Sequence, residues 1–116
     1  MTAMDAHRQL LDWSDADRDK LVGFFSGFLA KPSANPPGDT REAAGFIADY
    51  LDAEGIDHRL VAPRERMPNI LAVAHGNSAG RHLVLTGHID VFPVSQDQHW
   101  TPGPRAGAAA GGAVWA

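Results

Sequence analysis

The chain of 116 residues contains no cysteine, so disulfides and thiolate metal sites are excluded, and any bound metal would need nitrogen and oxygen ligands. No apolar run approaches the roughly 20 residues of a membrane-spanning helix. The N-terminal stretch, with Asp5 and Asp12, lacks the apolar core of a signal peptide, so a cytoplasmic protein without a membrane partner is expected. Charge of one sign is scarce as well. A formal net charge of −4 leaves no basic stripe for nucleic acid and no acidic solvating block. The glycines from Gly107 to Gly112 are not followed by the lysine and hydroxyl residue of a phosphate loop, and no serine sits on a nucleophile elbow.

What remains suits a single globular domain, with 44% hydrophobic residues. Residues 1–13 read as a polar N-terminal arm. Ser14 and Asp17 have the spacing of a capping box, and Leu21, Phe25, Phe28 and Leu29 fall on one helical face. Lys31-Pro32-Ser33 ends that helix, and Asn35-Pro36-Pro37-Gly38 reads as a stiff connector between helices. A second helix begins near Asp39 or Thr40. It carries Ala43, Phe46, Ile47, Tyr50 and Leu51 on one face and stops at Gly55.

The period then shortens. Ile56 to Ala62 alternates as a half-exposed strand, Asn69 to His75 predicts a second, and Arg81 to Thr86 a third. The last two are close enough in sequence for an antiparallel hairpin. Leu83-Val84-Leu85 is apolar on both faces and predicts a strand covered on both sides. These elements give an α/β portion over 14–100, two helices followed by about three strands in an incomplete sheet. Residues 101–116, rich in glycine and alanine, read as a mobile tail. Val114-Trp115 looks like half of a strand.

Of the six histidines, His7, His58, His75, His82 and His99 need no role beyond a polar arm, a strand face or a loop. His88 differs in position, because Gly87-His88-Ile89-Asp90 follows the apolar strand, where a loop exposes side chains to a cleft. In extended backbone His88 and Asp90 point to one side. His88 is then a candidate metal ligand, and Asp90 could accept from its other ring nitrogen. On spacing alone, a strand-end histidine bonded to a local carboxylate with no metal is the favoured reading, because His-x-Asp is short and commonly arises by chance. Asp90 and Asp97 have no fixed separation and make a weak acid–base pair.

Taken together, Pro32 to Asp39, the helix Glu42 to Leu51, Asn69-Ile70-Leu71-Ala72, Leu83 to Pro93 with its Gly-His-x-Asp-Val-x-Pro core, Trp100 and Val114-Trp115 give a stronger signal. The chain resembles the N-terminal part of the M20 metallopeptidase family, of the acetylornithine deacetylase and succinyl-diaminopimelate desuccinylase type. The resemblance implies a partial zinc-peptidase-like catalytic domain over 1–116. His88 would be a ligand of one of two zinc ions (cobalt or manganese also being possible), and Asp90 the catalytic residue that orients it. It implies amide hydrolysis of small N-acyl amino acids or dipeptides, with a glutamate as general base. In the family, Val-Trp leads into Gly-Arg-Gly-x-x-Asp-Met-Lys, and the remaining ligands follow. A chain ending at Ala116 is therefore expected to be inactive alone, to hold zinc weakly, and to form homo-oligomers or aggregates through an uncovered sheet edge. The alternative is a stand-alone, non-enzymatic α/β binding module. A lesser option is a small zinc site joining His88 to His82 or His99.

Overall fold

A computed structural model describes residues 2–95 and 99–115. Among them the chain forms a small α/β structure of three helices and two small antiparallel sheets. It divides into two compact units, Met1–Ala30 with Trp100–Ala116, and Lys31–His99.

In the first unit, residues read as an arm are helical. Helix α1 spans Ala3–Ala16, and a reciprocal capping box opens it, with Thr2 accepting from the Asp5 N–H and Asp5 accepting from Thr2. That box lies ahead of a stretch with no continuous apolar run. Met4, Leu10, Leu11 and Trp13 remain exposed. Ser14 lies inside α1 and caps nothing. Asp17 is instead the hinge, ending α1 and preceding α2, Arg18–Leu29, with no side-chain cap of its own. Phe24 and Phe28, one turn apart, stack with ring centroids 6.5 Å apart.

The expected mobile tail is a hairpin. Strand β3, Ala108–Ala110, pairs with β4, Ala113–Trp115, placing Ala109 opposite Val114. Gly111 and Gly112 take φ of 60° and 77°, the left-handed pair required by the commonest two-residue hairpin turn. Val114-Trp115 is thus a strand with a local partner, and the Trp115 indole N–H donates to the Ala110 carbonyl at 3.2 Å. Strand β3 contacts α2 within this unit. Gly107 permits that approach, because a Cβ there would collide with the Ser26 carbonyl.

In the second unit, helix α3 spans Arg41–Ala53 and ends as expected. Gly55 has φ 66°, its N–H donates to Asp52, and the Ile56 N–H donates to Leu51, a complete Schellman motif. Its start differs in detail from expectation. Thr40 is the N-cap without a side-chain bond, and Asp39 accepts from both the backbone N–H and the guanidinium of Arg41. Strand β1, His58–Val61, pairs antiparallel with β2, Asn69–Ala72, with Leu60 opposite Ile70. Helix α3 packs on β2.

The third expected strand does not form. Residues 80–90 carry no regular structure, and Leu83, Val84 and Leu85 are 79%, 77% and 86% exposed. Branched apolar residues favour a strand only where another strand meets their N–H and C=O groups. Among the described residues no strand lies beside them, and the β1–β2 sheet stays two-stranded. The buried positions among the described residues of the unit are Ser33, Gly38 and Thr40, together with Ala43 and Ala44 in the first turn of α3. Small side chains there let the 31–40 loop lie close to its helix. Lys31 sits over the Phe46 ring at 5.4 Å, and the Thr40 N–H donates to Arg66.

Candidate functional site

Two loops far apart in sequence meet in the second unit. Ala34 and Val91 form a parallel bridge, in which the Asn35 N–H donates to the Val91 carbonyl at 2.8 Å and the Val91 N–H donates to the Ser33 carbonyl at 3.1 Å. Backbone groups outside regular structure still require partners, and these two bonds supply them. The bridge places Asp90 beside Asn35. The Asn35 amide Nδ2 donates to Asp90 Oδ2 at 2.9 Å, while Asp90 Oδ1 lies 3.1 Å from His88 Nδ1.

His88 Nδ1 also lies 3.0 Å from the Asp90 carbonyl oxygen. Both neighbours accept hydrogen bonds only, so Nδ1 carries the hydrogen, and in the neutral ring Nε2 presents a lone pair. The His88 side chain is 85% exposed, that of Asp90 34%. The Asn35 hydrogen bond holds the Asp90 carboxyl below the usual carboxylate range, opposed by partial burial and helped by its own backbone and by His88. An exposed imidazole backed by an oriented carboxylate is the arrangement in which histidine serves as a metal ligand or a proton acceptor.

The two sequence candidates are therefore brought together, as the shared face of His-x-Asp implied. Asn35 was missed. The loop was read as an inter-helix connector, although an asparagine amid prolines has a side chain free to reach outward. His58, on a face of β1, is half-buried, with Nδ1 3.2 Å from the Ile56 carbonyl oxygen. Asp97 lies outside the described residues. Among the described residues no three histidine, cysteine, aspartate or glutamate side chains gather as a metal-holding group, so His82 and His99 do not complete one with His88. A zinc site with an open position needs three protein ligands, and the residues at hand do not fit the ion by themselves. No helix among the described residues is long and apolar enough to cross a membrane.

The chain is similar to several curated proteins. It is 30% identical over 109 residues to the N-formyl-4-amino-5-aminomethyl-2-methylpyrimidine deformylase of Halalkalibacterium halodurans, which covers 90% of this chain and 25% of that protein. It is 34% identical over 89 residues to the succinyl-diaminopimelate desuccinylase of Methylocella silvestris, 75% of this chain and 22% of the relative. The desuccinylase of Paracoccus denitrificans is 36% identical over 78 residues, 66% of this chain and 20% of its own length. The chain thus spans a fifth to a quarter of the length of these relatives. No family model matches it, and no solved structure matches it significantly. The similarity supports an M20-like relationship, shared among amide-bond hydrolases rather than pointing to one member.

Proposed function

We propose that this chain carries the opening part of a metal-dependent hydrolase that cleaves amide bonds of small N-acylated amino acids or dipeptides in the cytoplasm. His88 is its metal-ligating residue and Asp90 the residue that orients it. The observation carrying this reading is the His88–Asp90 pair, with Nδ1 engaged at 3.1 Å and the rest of the ring open to solvent. The relatives' names add the reaction class, since a deformylase and a desuccinylase each remove an acyl group. One imidazole and one orienting carboxylate do not hydrolyse an amide, which needs an activated nucleophile and stabilisation of the oxyanion. Those groups are not gathered beside His88 among the described residues, and hydrolysis by the 116 residues alone is not expected.

The test is a transplant. Residues 1–116 replace the matching segment of the Halalkalibacterium deformylase, and the chimera is assayed for chelator-sensitive hydrolysis of its N-formyl substrate and of N-acetyl and N-succinyl amino acids. Activity lost on His88→Ala is the expected result. A folded chimera that leaves every N-acyl substrate intact overturns the reading.

A further inference from the structure

We propose that Asn35 is a positioning residue for this site, holding Asp90 Oδ2 so that Oδ1 faces His88 Nδ1 and the imidazole is fixed in the Nδ1–H form. The inference deepens the proposed function and rests on its choice of His88 and Asp90.

Main chain and side chain of Asn35 engage the same stretch. Its N–H donates to the Val91 carbonyl at 2.8 Å and its Nδ2 to Asp90 at 2.9 Å. A carboxylate only accepts, so the amide must present its nitrogen to Asp90 and turn its oxygen the other way. That oxygen lies against Gly38, where a Cβ would stand 3.2 Å from Asn35 Oδ1 and 3.2 Å from Met67 Sδ. Gly38 has φ 84°, and its N–H donates to the Ala34 carbonyl at 2.9 Å, closing the loop around Asn35. The amide is thus confined on one side by the turn and spends its donor on the other. A free carboxylate rotates about its terminal torsion over a broad range. Pinning one oxygen removes that freedom and leaves the other directed at the ring. The turn closed by Gly38 accordingly does more than connect two helices: it holds the asparagine that sets the histidine.

Long-range proton–nitrogen NMR on the full chain tests this, because it reads the His88 tautomer directly. It is recorded at about pH 8.5, where the neutral form of imidazole is the ordinary one. The parent chain is expected to show Nδ1–H as the major form. Asn35→Ala and Asn35→Asp, which remove the donor to Asp90 Oδ2, are expected to lower the share of that form, the Asp90 carbonyl at 3.0 Å remaining as an acceptor for Nδ1, with the Ala34–Val91 cross-strand contacts unchanged. An unchanged tautomer in either variant overturns the proposal. So does loss of the Ala34–Val91 contacts in both variants, which makes Asn35 a residue of loop structure alone. A tautomer change alongside an inactive transplant would leave the positioning role standing and remove the proposed hydrolase function.

Discussion

His88 and Asp90 are joined twice, through Nδ1 to the carboxylate at 3.1 Å and through the same nitrogen to the Asp90 carbonyl at 3.0 Å. The ring contributes little to packing, its side chain being 85% exposed. His88→Ala is therefore expected to change unfolding stability by no more than about 0.5 kcal/mol, the range of surface substitutions. Urea denaturation measures this. Calorimetric titration of the parent chain with zinc should show no saturable binding at concentrations that fill a three-ligand site. Tight stoichiometric binding would mean that a ligand group exists outside the described residues.

The Arg41 guanidinium hydrogen bonds to Asp39 push that carboxyl down to about 2 from an ordinary 3.8. A depressed folded-state value means that the ionised form is favoured in the folded chain. Its contribution is complete above pH 3.8 and fades as pH falls through about 2. Asp39→Asn should flatten that part of the acid limb, seen in urea midpoints collected across the window. An acid limb identical in the variant would show that the Asp39–Arg41 pair is not maintained in solution.

The β3–β4 turn depends on two left-handed residues, Gly111 at φ 60° and Gly112 at φ 77°. A β-branched side chain pays roughly 1–2 kcal/mol in that region, and asparagine much less. Gly112→Val should erase the cross-strand contacts between Ala109 and Val114 in nuclear Overhauser spectra, whereas Gly111→Asn should keep them.

Leu83, Val84 and Leu85 form an exposed apolar stretch with no strand beside it among the described residues. Such segments bind apolar dyes and other chains. Leu83→Glu combined with Leu85→Glu is expected to lower dye fluorescence and to reduce self-association in sedimentation velocity. Unchanged sedimentation would assign any self-association to another surface.

Local chemistry was legible wherever one segment supplied all the partners. Helix α3 from Arg41 to Ala53 and its Gly55 stop follow from period and a single left-handed glycine, and both appear as read. The same logic was available for Thr2 with Asp5 and for Gly111-Gly112. Neither signal adjoins a long apolar run, so neither stands out by its period. The shared side of His88 and Asp90 was equally legible, since residues two apart in extended chain face alike.

The residues alone thus determined helix α3 with its Gly55 stop, most of α2, and the shared side of the candidate pair at 88 and 90. Tertiary structure decided which strands pair and what stands behind Asp90. Strand 58–61 took strand 69–72 as its partner, and among the described residues no strand pairs with 83–85, although its composition is strongly strand-like. Asn35 reached Asp90 only because Ser33 and Asn35 bond Val91 across the intervening chain. Pairing and bridging are non-local hydrogen bonds, and no local pattern records which distant backbone will supply them.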